Sequence, residues 1–252
     1  MVIVFDVNGT LLDTRALAPL FEAMFDGTYS AEDWFNQVVQ YSMAVTLSDG
    51  FLDFGDIAIA VLEMAATARG VRLSRSDIQE VRKAMQSLPP FPEVAGALRR
   101  LSAANHRLAA LSNSGTSALK KQLRNAELHD IFERAESVSE VKKFKPAPEA
   151  YRSIARALGV KTGEVLMVAA NPWDLLGAAN AGCRTALITR PGKAPLPELV
   201  KPDLVAADLD ELAGQILGGE LGRSGGRSLL LGAGLAAAGV AGAVLLGGAR
   251  RR

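Results

Sequence analysis

Polar side chains follow three apolar runs of this chain directly, at the point where each run ends. They are Asp6, Asn8 and Thr10 after the first run, Ser112 and Asn113 after the second, and Asn171, Trp173 and Asp174 after the third. Ligands of open α/β sheets bind beyond the carboxyl ends of the strands, so these side chains are predicted to face one site. The carboxylates suit covalent catalysis, with neighbouring donors offsetting developing charge.

Lys145 joins this set from the loop KKFKPAPEAY, ahead of the helix predicted to carry Tyr151. Each side chain also has a purely structural interpretation. Asp6 could build an Asx turn, Asn171 could cap a helix, and Lys145 could be a solvated loop lysine. Taken singly, these structural interpretations are at least as good as the catalytic one. The complete set favours a site.

The elements that would position this set are short apolar runs alternating with helical stretches. The runs are VIVF at 2–5, LAAL at 108–111, VLMVAA at 165–170, TALIT at 185–189 and DLVAA at 203–207. Near-continuous apolarity is typical of parallel strands that are buried on both faces. Alternation with helices therefore predicts an α/β fold with a doubly wound parallel sheet.

Residues 14–91 contain no strand-like run but show helical periodicity. Apolar side chains recur at helical spacing in Leu17, Leu20, Phe21, Met24 and Phe25. The proline-rich LPPFPE at 88–93 ends this stretch, because paired prolines forbid a continuing helix. The sequence predicts an all-helical cap at 14–91, inserted into a core formed by 1–13 and 92–218.

Charge and cysteine content argue against several functional classes in this 252-residue chain. Its 28 Lys and Arg residues nearly balance 27 Asp and Glu, so no nucleic acid partner is predicted. Cys183 stands alone and no charged leader precedes the first run, so we predict a cytoplasmic domain with a small-molecule partner. His106 and His129 are isolated from each other and from Cys183, so no metal site is predicted.

Residues 219–252 differ from the rest of the chain and are predicted to be a linker and an apolar tail. Residues 229–249 are uncharged and comprise six Leu, two Val, seven Ala and six Gly. A bilayer-spanning helix needs about 20 apolar residues. We favour a transmembrane helix over 229–249, and hence membrane association; a poorly ordered apolar tail is the alternative.

In order, type and context, the polar set resembles the four motifs of the haloacid dehalogenase-like hydrolase superfamily, over roughly residues 1–218. Within it the sequence is most similar to type II L-2-haloacid dehalogenases, through SN at 112–113, SVSEVKKFKPAPEAY at 137–151 and NPWDLLGA at 171–178. The resemblance implies a Rossmann-like core with a helical cap. It also implies hydrolytic dehalogenation of small 2-haloacids through an aspartyl ester, with inversion and without metal or other cofactors. A homodimer is a further expectation.

Position by position, the resemblance implies catalytic roles for five residues. Asp6 corresponds to the nucleophile, and Thr10 to a hydroxyl that holds its carboxylate. Lys145 corresponds to an ammonium group that offsets the crowded negative charge. Asn171 and Asp174 correspond to the group that orients and activates water.

The resemblance also implies contacts to the substrate. Ser112 corresponds to a ligand of the substrate carboxylate, while Asn113 and Trp173 correspond to part of a halide cradle. Tyr151 corresponds to a support for the network. Phe54, in the cap, is expected to form part of an apolar wall.

The sequence departs from the dehalogenase pattern at several positions. Those enzymes carry an arginine for the halide directly after a cap tryptophan, whereas the pair here is Trp34-Phe35. Arg15 is the nearest substitute, and a surface arginine is the alternative. Asn8 stands at a substrate-facing position where tyrosine is usual, and Ala169 replaces a serine of the family network. These changes weaken the inference of halide specificity.

Two other functions compete with dehalogenation. A magnesium-dependent phosphatase of the same superfamily needs an acid two residues after the nucleophile and another in the last motif, where this chain has Asn8 and Ala170. A membrane-tethered, non-catalytic interaction domain is the second alternative, motivated by the missing arginine and the apolar tail.

Overall fold

The computed structural model describes residues 1–222, so the predicted transmembrane segment at 229–249 lies outside the described residues. Six strands in this range form one parallel sheet in the order β3-β2-β1-β4-β5-β6. They are β1 (Val2–Phe5), β2 (Arg107–Ser112), β3 (Arg134–Ser137), β4 (Val165–Ala169), β5 (Arg184–Ile188) and β6 (Leu204–Ala206). Strands β2 and β3 lie on one side of β1, and strands β4 to β6 lie on its other side. This is the predicted doubly wound α/β arrangement.

Helices surround this sheet and fill the interval between β1 and β2. They are α1 (Ala18–Phe25), α2 (Ala31–Leu47), α3 (Phe54–Ala68), α4 (Arg75–Gln86), α5 (Val94–Ala103), α6 (Thr116–Asn125), α7 (Pro148–Ala157), α8 (Pro172–Asn180) and α9 (Leu209–Leu217). Helix α5 packs against α9, and α7 packs against α8. Right-handed crossovers place these two pairs on opposite faces of the sheet. Within residues 1–222, no helix combines the length and apolarity that a membrane span requires.

The central strands are apolar because both of their faces are covered. Every residue of β1 and β4 is buried. The edge strand β3 was not predicted from the sequence, because its residues RAES contain no apolar run. It pairs with β2 on one side only, so its side chains are not required to be apolar.

Helices α1 to α4 occupy the interval that the sequence predicts as the cap, and α1, α2 and α3 share an aromatic cluster. The indole of Trp34 is fully buried and donates a hydrogen bond to the Ala58 carbonyl at 3.0 Å, which joins α2 to α3. Ser30 caps α2 by accepting from the backbone N–H of Asp33. The cap therefore has its own buried aromatic contacts and its own helix-start signals.

The two chain segments that connect cap and core lie side by side. Leu12 forms an antiparallel bridge with Pro90, and the backbone N–H of Asp13 donates to the Pro89 carbonyl at 2.8 Å. The backbone N–H of Phe91 returns a bond to Leu11 at 3.0 Å. This double connection fixes the base of the cap a few residues after Asp6.

Candidate active site

The turn after β1 places Asp6 and Thr10 against each other. The backbone of Asp6 still donates to the Val168 carbonyl at 2.9 Å, and Gly9 then takes a φ of +81°, which favours glycine. The Thr10 hydroxyl accepts from the backbone N–H of Ala170 at 3.0 Å and donates to Asp6 Oδ2 at 2.7 Å. Because a backbone N–H can only donate, Thr10 accepts from Ala170, and its one hydroxyl proton is directed to the carboxylate.

Lys145 is buried, so the interpretation of a solvated loop lysine is wrong. Its Nζ lies 3.0 Å from Asp6 Oδ1 and 2.8 Å from Asp174 Oδ2, and the residue is 0% exposed. Burial alone lowers the pKa of an ammonium group, but the charges of Asp174 and Asp6 outweigh it and raise the pKa of Lys145. The group is therefore a permanent cation between two carboxylates.

The loop of Lys145 is held by the strand-end residue Asn113. Asn113 Oδ1 accepts from the backbone N–H of Lys145 at 3.0 Å, across 32 positions of sequence. Since an N–H can only donate, the oxygen of the Asn113 amide is fixed toward the loop. Its NH₂ group is then the part available to a ligand.

Asp174 lies beneath Lys145 and is completely buried. Tyr151 donates its hydroxyl to Asp174 Oδ1 at 2.6 Å, and Lys145 contacts the other oxygen. Burial raises the pKa of Asp174 to about 6, although Lys145 and Tyr151 both act to lower it. The pKa of Tyr151 is itself raised well above its usual value by burial and by Asp174, which keeps Tyr151 a proton donor in this bond.

Glycine at position 177 allows α8 to approach this network. A Cβ atom on Gly177 would lie 2.5 Å from the Pro146 carbonyl oxygen and 2.7 Å from the Tyr151 hydroxyl. Both distances are shorter than real contacts to a Cβ atom. The close approach of α8 to the Lys145 loop therefore depends on the missing side chain.

Asn8 is bound through both ends of its side-chain amide. Gln122 Nε2 donates to Asn8 Oδ1 at 3.1 Å, and Asn8 Nδ2 donates to Ser114 Oγ at 3.0 Å. Gln122 also donates to the Met85 carbonyl of α4 at 2.8 Å. Asn8 is thus a fixed wall residue, held by Gln122, which links core and cap. An amide has no acidic proton for general acid catalysis.

A cavity of about 20 Å³ lies above Asp6, and we call it the inner chamber. It is lined by Asp6, Asn8, Phe35, Val39, Phe54, Ser112, Asn113, Asn171 and Trp173. Seven of these belong to the set predicted from the sequence. Thr10, Lys145, Tyr151 and Asp174 lie behind Asp6 and hold it. Asn171 occupies the N-cap position of α8, but its side chain makes no capping hydrogen bond.

Arg15 does not line the inner chamber. Its guanidinium binds Asp13 at 2.7 Å with 58% of the side chain exposed, as the surface interpretation expects. It lines a neighbouring cavity of about 250 Å³, which we call the outer cavity. Helix geometry could not place Arg15 in advance, because a short 3₁₀ segment turns it toward Asp13 at the start of the cap.

Arg190 was missed by sequence reasoning, although it is buried beside the turn that carries Thr10. Its guanidinium lies 2.6 Å from Glu93, donates to the Thr10 carbonyl at 2.9 Å and sits 3.7 Å from the Phe91 ring centroid. Arg190 follows the carboxyl end of β5, so the strand-end rule that found the other residues could have found it. Gln122 had no such signal, because its partners lie in distant elements.

Comparison with known proteins gives a consistent result. The haloacid dehalogenase-like hydrolase family matches residues 1–182. An (S)-2-haloacid dehalogenase of Xanthobacter autotrophicus is 32% identical over 190 residues, which is 75% of this chain and 74% of that protein. The (S)-2-haloacid dehalogenase 1 of Pseudomonas sp. (strain CBS-3) is 32% identical over 195 residues, covering 75% and 85%.

Solved structures show the same similarity at the level of the fold. The L-2-haloacid dehalogenase from Xanthobacter autotrophicus with chloropropionic acid covalently bound superimposes with a TM-score of 0.78 at 28% identity. The match covers 86% of this chain and 98% of that one.

Proposed function

The chain belongs to the haloacid dehalogenase-like hydrolase family, and we propose that it hydrolyses small 2-haloacids through an ester on Asp6. The observation that carries the proposal is the binding of both Asp6 oxygens, by Thr10 at 2.7 Å and by Lys145 at 3.0 Å, on the floor of a small chamber. This arrangement fixes an ionised carboxylate while leaving it in contact with the chamber. The curated relatives named above support the same chemistry.

In the first step, an Asp6 oxygen attacks the substrate carbon that carries the halogen. The new C–O bond forms as the carbon–halogen bond breaks, and the halide leaves with the electron pair, which inverts that carbon. Lys145 offsets the repulsion between two anions in a poorly hydrated site. Ser112 lines the chamber as a donor for the substrate carboxylate.

The leaving halide needs donors, and the described residues place no arginine on the inner chamber. The NH₂ group of Asn113 and the indole N–H of Trp173 are the donors we assign to it. Asn113 suits this role because its oxygen is already bound to the backbone of Lys145. Phe35 and Phe54 supply an apolar wall around the departing atom.

In the second step, water attacks the carbonyl carbon of the Asp6 ester and the ester C–O bond at that carbon breaks. One proton of the water goes to a base, and the other passes to the departing alkoxide, which leaves as the 2-hydroxyacid. We assign orientation of this water to the Asn171 amide and acceptance of its proton to Asp174. Above its pKa of about 6 the Asp174 carboxylate is ionised and able to accept a proton. The oxygen of this water remains in Asp6, and the alcohol oxygen of the product comes from the aspartate.

The phosphatase alternative loses support from the same site. Asn8 occupies the position of the general acid and has both amide ends bound, by Gln122 and Ser114. Ala170 stands where a metal-binding acid would be needed. Neither position offers the carboxylate that magnesium-dependent phosphoryl transfer requires.

One assay series separates the candidate functions. Halide release from chloroacetate and (S)-2-chloropropionate is measured with and without a chelator, and phosphate release from an aryl phosphate with Mg²⁺. We expect chelator-insensitive halide release that Asp6→Asn reduces by about four orders of magnitude or more, because the nucleophile is lost. Magnesium-dependent phosphate release would overturn the proposal.

A single-turnover reaction in ¹⁸O-labelled water tests the ester route directly. With enzyme in excess, the label is expected in Asp6, detected by mass spectrometry of its peptide, and not in the hydroxyacid. Label in the first product molecules instead would indicate direct attack of water on the substrate. If the chain releases neither halide from several haloacids nor phosphate from the aryl phosphate, a non-catalytic interaction domain is favoured.

Membrane association and a homodimer are separate proposals about this chain. The apolar composition of 229–249 supports the first, and exposed apolar side chains on the cap, such as Leu47 at 85%, support the second. Fractionation of the full chain and of a truncation after Gly219 tests the tether. Light scattering on the full chain and on the truncation tests the dimer. If both forms are monomers and neither enters the membrane fraction, the membrane and dimer proposals are refuted.

A further inference from the structure

Two neighbouring cavities share one wall residue of the cap. The inner chamber contains Asp6, the outer cavity contains Arg15 and Arg190, and Phe35 lines both. Phe35 is half-buried, whereas the preceding residue, Trp34, is fully buried. The side chain of Phe35 therefore lies between the space above the nucleophile and a larger space that opens toward the surface.

The Phe35 ring is held by its edges. It meets the Trp34 ring at a centroid distance of 6.5 Å and the Phe54 ring at 6.2 Å, with interplanar angles of 63° and 67°. Among the described residues, these are the aromatic contacts of Phe35. Edge contacts of this kind are individually weak, so rotation of the ring costs less than moving a buried ion pair.

The inner chamber is too small for a haloacid as it stands. A volume of about 20 Å³ holds about one water molecule, whereas even chloroacetate has five heavy atoms. The floor of the chamber is fixed by ion pairs and hydrogen bonds of buried groups. Phe35 is the wall element that adjoins further space, so its displacement adds volume most directly.

The outer cavity is lined by several charged side chains. It is lined by three cationic side chains, Arg15, Arg190 and Lys193, and by two acidic ones, Asp13 and Glu32. The ion pair between Lys193 and Glu32 is long, at 3.4 Å, and partly exposed. Each of these cations is paired, Arg15 with Asp13, Arg190 with Glu93 and Lys193 with Glu32, so the groups have no net charge. Lys193 has the weakest pairing and is the cation most easily released to a substrate carboxylate.

We propose that Phe35 is a specificity-determining gate between the outer cavity and the inner chamber, and that it restricts the enzyme to the shortest 2-haloacids. The proposal rests on the haloacid hydrolysis proposed above. In its closed position the ring separates the two spaces; displaced, it admits the substrate from the outer cavity, and the space that it frees limits the length of the alkyl chain that fits. Phe35 directly follows the buried Trp34 on α2 and makes this wall of the inner chamber apolar.

Val39 offers a matched control, because it lies one helical turn after Phe35 on α2 and lines the inner chamber without lining the outer cavity. Val39→Ala enlarges the chamber, whereas Phe35→Ala enlarges it and joins it to the outer cavity. Phe35→Leu is a second, milder variant that retains an apolar contact in the cap. Thermal unfolding of all three shows whether each is folded.

The experiment compares kcat/KM for chloroacetate, 2-chloropropionate, 2-chlorobutyrate and 2-chlorohexanoate. For Phe35→Ala we expect the ratio of 2-chlorohexanoate to chloroacetate to rise on the order of ten-fold or more, since each methylene in a fitted pocket discriminates strongly. Phe35→Leu should change the ratio in the same direction by less, and Val39→Ala by little. An unchanged ratio in both Phe35 variants, or an equal change in Val39→Ala, would overturn the gate.

Fluorescence quenching by iodide tests the gate without turnover. The chain has two tryptophans; Trp173 lines the inner chamber, and Trp34 is fully buried. Phe35→Ala should increase quenching of the Trp173 component, which is identified by its absence in Trp173→Phe, whereas Val39→Ala should not. If the natural chain releases no halide from any acid, the proposed function fails, and the quenching result still decides the gate. Equal quenching of Trp173 in the natural chain, Phe35→Ala and Val39→Ala would refute the gate.

Discussion

The two sides of the inner chamber are built on different principles. The catalytic floor is polar and buried, and each of its members is bound by at least one other; it consists of Asp6, Thr10, Lys145, Tyr151 and Asp174. The cap wall consists of Phe35, Val39 and Phe54, and its aromatic members meet through ring edges. The floor is therefore held by directional bonds between buried polar groups, whereas the wall is held by non-directional apolar contacts.

This difference indicates where chemistry and specificity are encoded. A buried charge that loses its partner retains its full desolvation cost, so the floor tolerates little change. A substitution in the apolar wall removes only contact area and local packing, and a volume-conserving substitution there costs little stability. We expect substitutions in the floor to abolish turnover and substitutions in the wall to redistribute it among substrates.

The largest effect is expected for Lys145→Met. It leaves Asp6 and Asp174 as neighbouring buried carboxylates without their cation, which should destabilise the fold by about 3–5 kcal/mol and abolish halide release. Lys143→Met is the matched control, since the same residue type two positions earlier binds Asp49 in an exposed pair. Urea unfolding and halide release measure both variants. Equal losses in the two would contradict the comparison between floor and surface.

Tyr151→Phe should change the pH dependence of turnover. The Tyr151 hydroxyl lowers the pKa of Asp174, which burial holds at about 6, so removing it moves the acidic limb of kcat to higher pH. Below that limb Asp174 is protonated and cannot accept a proton from water. The lost charge-assisted bond should also cost about 1.5–3 kcal/mol of stability.

The control for this pH profile is Tyr41→Phe, because Tyr41 lies exposed on the cap with its hydroxyl near Met64. Its kcat profile should coincide with that of the natural chain. A limb that stays in place in Tyr151→Phe would show that Asp174 does not set it.

Gly177→Ala tests the scaffold behind the floor. Its Cβ would lie 2.7 Å from the Tyr151 hydroxyl, so α8 must shift, and we expect a loss of about 1–3 kcal/mol together with slower turnover. Gly96→Ala, on the exposed face of α5 with no neighbour within 4 Å, should instead stabilise the protein by about 0.5–1 kcal/mol. Calorimetry of both variants checks the opposite signs.

The smallest effect is expected for Phe54→Leu in the cap wall. This buried ring contacts the rings of Phe35 and Phe144, and leucine retains most of its apolar volume. Stability should fall by less than about 1.5 kcal/mol, and the acidic limb of kcat should not move. Rates for different haloacids should change relative to one another. A shifted pH limb would mean that wall and floor are not separable.

Much of the fold was predictable because it depends on local patterns. Five of the six described strands coincide with the apolar runs, since strands buried on both faces must be apolar. The edge strand β3 carries no such pattern. Most members of the site were found in the same way, as polar residues at strand ends. Gln122 could not be found, because its bonds to Asn8 and Met85 span 114 and 37 positions.

The sequence by itself determined the α/β class, the helical character of the cap and the identity of the candidate nucleophile, because each of these depends on a few consecutive residues. Only the tertiary structure decided that Lys145 is buried, that Arg15 faces the outer cavity, and that Phe35 divides the two cavities. Asp6 and Lys145 are 139 positions apart, and contacts over such separations are set by how the elements pack. The chemistry is therefore encoded in short motifs, while chamber size and access follow from long-range packing.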